Sequence, residues 1–262
     1  MGLGFGGEVV DFYHRYRHGY PDTVIDILAG AFTLTAEDLL VDLGCGTGQL
    51  ALPISRRVRA VIGVDPEPGM LRRARQAADE AGVTNVSWML GADTDLPALR
   101  GLLGDNTVAV VTIGQALHWM RCDEVFHSAA ALTRPGGGVA VVTNGTPLWL
   151  QDSAWSQALR SFLERWLGHE VSDWCGTDEN SQRRYQHALA AAGFDVASAA
   201  TDYVAQLSFD QLLGGVFSAI PAHQLPAPDQ RPDFAEQLRA AVGPQDHFSE
   251  PVHVAILIGR NA

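Results

Sequence analysis

Between residues 39 and 143 the chain alternates short apolar runs with segments of helical periodicity, and this alternation limits the possible folds more than any other feature. Leu39 to Leu43, Ala60 to Val64 (AVIGV), Val86 to Leu90, Thr107 to Ile113 and Val139 to Thr143 read as strands. Asp22 to Phe32, Gln49 to Arg59, Gly69 to Ala81 and Arg121 to Leu132 read as helices, the last stopped by Arg134-Pro135-Gly136-Gly137-Gly138. Strands apolar on both faces suit a parallel sheet with helices packed on each side. Right-handed crossovers then bring the strand C-terminal ends to one edge. Ligands bind at that edge, near the point where strand order reverses.

After Thr143 the rhythm changes. Trp155 to Leu167 is an amphipathic helix whose Trp155, Leu159, Phe162 and Trp166 share one face, a pattern expected to seal a cap. Ser181 to Ala192 reads as a helix, and Val196 to Leu207 and Val252 to Gly259 as late strands. Between those strands lies a helical insert, Phe209 to Val242, interrupted by PAHQLPAPDQRP. No repeat or linker divides the chain. The expectation is a single domain over 1–262, with a core of about 22–144 plus 180–208 and 250–260. Cap inserts are expected at about 145–179 and 209–249, and an N-terminal lid over 1–21.

Charge narrows the ligand. The 30 acidic residues exceed the 18 basic ones, giving a net charge of −12 at pH 7. Such a chain repels nucleic acid unless it carries a local basic face, and no nucleic-acid partner is expected. Lysine is absent, which excludes a P-loop, whose lysine sits on the phosphates. The three cysteines, Cys45, Cys122 and Cys175, have neither disulfide nor zinc spacing. A reducing cytoplasm fits. No signal-peptide pattern opens the sequence and no apolar run is long enough to span a bilayer, so neither membrane nor metal is expected.

The first strand runs into VDLGCGTGQL, Val41 to Leu50. Gly44, Gly46 and Gly48 permit positive φ and close backbone approach. Such a turn before a helix usually receives pyrophosphate. Asp42, however, would repel a pyrophosphate, and Gln49 stands where a dinucleotide fingerprint has its third glycine. A ligand with an ammonium group and no phosphate fits better, and S-adenosylmethionine is such a ligand. Asp65, 21 residues beyond Gly44, ends the second strand and suits a ribose. Asp65 alone does not separate NAD from S-adenosylmethionine. Asp42 and the shorter glycine spacing together favour the latter.

VDLGCGTGQL, VIGVDPEPGM, GADTDLP, VVTIGQALHW and LTRPGGGVAVV resemble, in order, the motifs of class I S-adenosylmethionine-dependent methyltransferases of the small-molecule type, and FYHRYRHGYP resembles the segment before their core. The resemblance covers about residues 38 to 143. It implies a Rossmann-like, doubly wound α/β sheet of seven strands, the last antiparallel and beside the fifth, with VHVAILIG as that strand. It also implies S-adenosylmethionine as cofactor and S-adenosylhomocysteine as product. By resemblance Gly44, Cys45, Gly46 and Gly48 pass under the methionine moiety, Asp42 lies near its ammonium and Asp65 at the ribose. Pro66 and Met70 then pack near the adenine, and Asp93, with Thr94 beside it, serves the adenine amino group. An ungapped match would put Ala92 at that point instead. Gly114 and Gln115 are expected to touch the cofactor. Tyr13 and Tyr20 are expected to orient it.

Methyl transfer needs alignment, water exclusion and often proton removal. His118, just past the fourth strand, is the first candidate base, as a histidine able to act near pH 7. His14 is the second. Tyr16 and Arg17 are candidate substrate contacts, Arg17 for a carboxylate. At the fourth strand Ile113-Gly114-Gln115-Ala116 replaces the Pro-Pro-Tyr or Pro-Cys patterns of base and amide methyltransferases. A small metabolite remains, methylated at oxygen, nitrogen or carbon, and a natural-product role such as antibiotic biosynthesis fits. The alternatives are a small-carboxylic-acid O-methyltransferase resembling the trans-aconitate type, a non-catalytic cofactor-binding partner subunit, and an NAD-binding domain. The protein is expected to be a monomer or homodimer.

Overall fold

The computed structural model describes residues 5–171 and 175–262. Residues 1–4 of the expected lid, and 172–174 of the first expected insert with Trp174, lie outside that description.

The order begins with α1 (Val9–Tyr16), α2 (Asp22–Ala31), β1 (Leu39–Leu43), α3 (Ala51–Ile54), β2 (Ala60–Asp65), α4 (Pro68–Glu80) and β3 (Val86–Leu90). Next come α5 (Leu96–Leu103), β4 (Val108–Gly114), α6 (Cys122–Leu132), β5 (Thr133–Asn144), α7 (Ala154–Leu167) and α8 (Glu179–Ala191). The chain ends with β6 (Asp195–Ser208), α9 (Phe209–Phe217), α10 (Arg231–Val242) and β7 (His247–Arg260). The seven strands form one sheet in the order β3-β2-β1-β4-β5-β7-β6. The β1–β2, β2–β3, β1–β4 and β4–β5 pairs are parallel, and β7 is antiparallel to β5. From β1 the chain moves outward to β2 and β3, then returns to place β4 on the other side. The strand order therefore reverses between β1 and β4.

Three local features differ from the periodicity. The helix expected over 49–59 is only Ala51–Ile54, continued by a 3-10 turn, Ser55–Arg57. The fifth strand starts at Thr133 rather than Val139, taking in Arg134-Pro135-Gly136-Gly137-Gly138, with a register shift at Val108/Val110 opposite. The helix α5 was not legible, because Pro97 in its first turn looks like a breaker yet suits a helix start.

The chain forms two compact units. The larger comprises 18–144, 176–201 and 254–262; the smaller comprises 1–17, 145–175 and 202–253. In the larger unit Val41, Leu43, Val111, Ile113, Val139 and Val141 of the sheet pack with Phe126, Ala129 and Leu132 of α6 and Leu189 of α8. Burial of this kind stabilises by about 25 cal/mol per Å² of apolar surface. In the smaller unit Trp155, Leu159, Phe162 and Leu163 of α7 are buried with Leu212, Val216, Phe234, Leu238 and Phe248, and Trp166 packs against them. The Trp155 indole N–H donates to the Ser249 carbonyl at 3.3 Å. Among the described residues no helix is long and apolar enough to cross a membrane.

Candidate active site

The C-terminal edge of the parallel strands gathers most of the singled-out residues of the larger unit. β1 ends in the glycine turn. Gly44, Gly46 and Gly48 have φ of 71°, 54° and 87°, in the left-handed region. Gly44 is required twice over: a Cβ there would come within 2.5 Å of Ala116 Cβ. The turn is held from below, since the Gly44 and Cys45 N–H groups both donate to the Val64 carbonyl, at 2.8 and 3.0 Å.

Asp65 ties the turn to β2. Its Oδ2 accepts from the Gly46 N–H and its Oδ1 from the Glu67 N–H, each at 2.9 Å. Burial raises its pKa, and those two amides pull the other way. Each carboxylate oxygen has a second lone pair, so the bonds orient the group without exhausting it.

Asp42 lies deeper. It is 1% exposed and its Oδ1 accepts from the Thr112 hydroxyl at 2.7 Å. Its Oδ2 is buried with no hydrogen-bond partner among the described residues. Burial pushes its pKa up to about 7; the Thr112 hydroxyl opposes this, the Ala51 amide opposes it more weakly, and Asp65 adds repulsion. Thr47 Oγ1, Gln49 Nε2, Gln115 Oε1 and Asn144 Oδ1 are likewise buried and unpaired. Buried polar groups are usually satisfied, so these orphans make the strand edge a candidate ligand site.

At the end of β4, the Tyr20 hydroxyl lies 2.6 Å from where a Gly114 Cβ would stand, so only glycine admits it. Gln115 adopts φ of 52° without being glycine. Its N–H donates to the Val142 carbonyl at 2.9 Å, and its side-chain amide donates to the Asn144 carbonyl at 3.4 Å. Such a conformation costs of order 1–3 kcal/mol and clusters at functional sites. The Asn144 side-chain amide donates to the His18 and Gly19 carbonyls, both at 3.3 Å, which fixes its Oδ1 as an acceptor.

His118 sits on a 3-10 turn, Leu117–Trp119. Burial pushes its pKa down to about 4. The expected titration near pH 7 is therefore replaced by a neutral imidazole. Gly176 packs against it: a Cβ there would stand 3.1 Å from His118 Cβ and 2.8 Å from the Tyr185 hydroxyl. Trp119 is 47% exposed, with its ring centroid 5.0 Å from that of His118.

The remaining residues are more dispersed. Asp93 is half-buried, and its Oδ2 accepts from the Arg121 N–H at 3.2 Å. Thr94 and Pro66 are exposed, while Met70 is buried on α4. Tyr13, His14 and Tyr16 are on α1, with Arg17 just after it, in the smaller unit. There the Tyr16 ring fills the space beside Gly214, and the Arg17 guanidinium lies 5.5 Å from the Tyr13 ring centroid. Thr112 and Asn144 were not singled out from the sequence. Thr112 stands out as the lone hydroxyl in an otherwise apolar strand, but nothing in the sequence joins it to Asp42.

A family model described as a methyltransferase domain matches residues 40–137. An uncharacterized methyltransferase of Mycobacterium tuberculosis is 31% identical over 209 residues, covering 80% of this chain and 78% of the relative. Among solved structures, the YcgJ protein from Bacillus subtilis superposes with a TM-score of 0.58 at 18% identity, covering 92% of this chain and 99% of that one. Geranyl diphosphate C-methyltransferase from Streptomyces coelicolor, solved with Mg2+, geranyl diphosphate and S-adenosylhomocysteine, superposes with a TM-score of 0.50 at 16% identity over 92% of this chain and 79% of that one. The chain belongs to the class I S-adenosylmethionine-dependent methyltransferases. It is an enzyme that uses S-adenosylmethionine as methyl donor.

Proposed function

We propose that the protein methylates a small metabolite at an oxygen, nitrogen or carbon atom. The observation behind this reading is the set of buried, unpaired polar atoms at the β1/β4 switch point. Asp42 Oδ2, Thr47 Oγ1, Gln115 Oε1 and Asn144 Oδ1 are all withdrawn from solvent. These atoms support a recessed cofactor site, and the small acceptor is supported by the fourth-strand segment Ile113-Gly114-Gln115-Ala116, which lacks the patterns of base and amide methyltransferases, and by charge. The net charge of −12 also opposes nucleic acid.

The chain's own groups fit the cofactor. Asp42 supplies an unsatisfied buried acceptor for an ammonium group, and the glycine turn supplies a cradle that a Cβ at Gly44 would close. Asp65 would hold the ribose through its free lone pairs. Cys45 lies in the same turn, and Gly114 at the end of β4, Gln115 just after it and Tyr20, whose hydroxyl packs on Gly114, would complete the cofactor site. Pro66, Met70, Asp93 and Thr94 would serve the adenine side. When bound, S-adenosylmethionine supplies a methyl group on a sulfonium leaving group. His118 would then orient the acceptor, or take its proton, as a neutral imidazole. The unpaired Gln115 Oε1 and Asn144 Oδ1 are acceptors, which favours a substrate bearing a hydroxyl or amine over a free carboxylate.

The test is label transfer. The purified protein is incubated with methyl-labelled S-adenosylmethionine and cell extract divided into metabolite, protein and nucleic-acid fractions. Label in a hydroxyl- or amine-bearing metabolite is expected. Label confined to protein or nucleic acid would contradict the reading, and a labelled methyl ester would replace it with the carboxylic-acid alternative.

A further inference from the structure

Thr112 is the polar interruption in the apolar strand Val108–Gly114, and it is fully buried. Parallel pairing sets Asp42 of β1 directly against Thr112 of β4, across the point where strand order reverses. The hydroxyl has one proton. It lies 2.7 Å from Asp42 Oδ1 and 3.5 Å from the Val41 carbonyl oxygen, so the proton goes to the carboxyl. Holding Oδ1 removes the rotation of that carboxyl. The other oxygen, Oδ2, is left buried and unpaired.

We propose that Thr112 is a positioning residue for the cofactor: it clamps one oxygen of Asp42 so that the other is presented to the ammonium group of S-adenosylmethionine. The inference rests on the reading of Asp42 as the ammonium acceptor. The clamp also has an electrostatic consequence. The titratable groups facing Asp42 are Asp65 at the end of β2 and the Cys45 thiol in the turn, with the Ala51 amide from α3. Burial raises the Cys45 thiol well above its usual range, so it stays uncharged. Thr112 is then the largest influence favouring ionised Asp42. Removing its hydroxyl moves the ionisation of Asp42 to higher pH.

The experiment is calorimetric titration of the purified protein with S-adenosylmethionine between about pH 5.5 and 8, a range spanning Asp42 ionisation. Wild type, Thr112→Val, Thr112→Ser and Asp42→Asn are compared. Asp42→Asn shares the ligand's own titration and so isolates that of Asp42. Relative to it, wild-type affinity is expected to rise with pH through about 7, the value for Asp42. Thr112→Val is expected to weaken binding about 10-fold near neutrality, because Asp42 must then be ionised against a pKa about one unit higher. Its pH midpoint is expected to move up by about one unit. Thr112→Ser is expected to restore both. Should Thr112→Val not fold, Thr112→Cys, a weak donor of similar size, replaces it with the same expected shift. If Asp42→Asn binds weakly but Thr112→Val keeps the wild-type affinity and midpoint, Thr112 only packs and the inference is overturned. If Asp42→Asn binds as tightly as wild type at every pH, the reading of Asp42 fails first.

Discussion

The Gly46 N–H donates to Asp65 Oδ2 at 2.9 Å, so the carboxylate at the end of one strand fixes the backbone turn that follows its neighbour. The acid expected at the ribose is thereby also part of the cradle.

On the proposed reading Asp65 holds both the turn and the ribose, two roles that substitution can separate. Asp65→Ala removes a ribose acceptor and leaves the Gly46 and Glu67 amides unpaired. Cofactor affinity is expected to fall by roughly 1.5–3 kcal/mol, the range for hydrogen bonds to a charged group. Asp65→Asn keeps one acceptor oxygen and should lose less. Calorimetry measures both, and equal affinity in all three proteins would remove Asp65 from the site.

Gly44→Ala should be more damaging than a glycine substitution that meets only backbone strain. Gly82 also has positive φ, 65°, but nothing lies within 4 Å of a Cβ there. At Gly44 the new methyl meets Ala116 Cβ at 2.5 Å. Gly82→Ala is expected to cost about 1 kcal/mol and Gly44→Ala several times more. Comparing thermal midpoints checks the order.

The outline of the fold was legible because β1, β2 and β4 are apolar on both faces and their helices are amphipathic. The glycine turn and Asp65 were legible because each lies close in sequence to the strand end that places it. Thr112 was not, because its partner Asp42 is 70 residues away and only the β1–β4 register joins them. Gln115 is expected at the cofactor from its place after the fourth strand, but its left-handed backbone, φ 52° at a residue other than glycine, leaves no mark in the sequence. The depressed pKa of His118 was not legible because burial decides it, and one of the residues packed against it, Gly176, lies far along the chain.

Asp42 should make the cofactor-free protein less stable as pH rises. Its folded pKa, about 7, lies above the ordinary 3.8, so folding favours the protonated form. That contribution is complete below about pH 4 and is lost as pH rises through 7. Asp42→Asn is expected to be more stable than wild type at pH 8 without cofactor, by on the order of 1–4 kcal/mol, while binding the cofactor less well. Denaturant unfolding at acid and alkaline pH reads the difference.

His118 works in the opposite direction. Its folded pKa, about 4, lies below the ordinary 6.5, so folding favours the neutral ring. Its contribution is complete above about pH 6.5 and is lost as pH falls toward 4. Nuclear magnetic resonance should show the His118 ring still uncharged at pH 6. His118→Gln is expected to lower kcat by about 10²–10⁴ if the ring takes a proton, and by less if it only orients the acceptor.

The most direct test is a crystal structure of the protein with S-adenosylhomocysteine. The amino group is expected within hydrogen-bond distance of Asp42 Oδ2, with the ribose hydroxyls at Asp65 and the backbone of Gly44 to Gly48 beneath the amino-acid portion. A ligand bound away from the β1/β4 edge, or one that leaves Asp42 Oδ2 still unpaired, would contradict this arrangement.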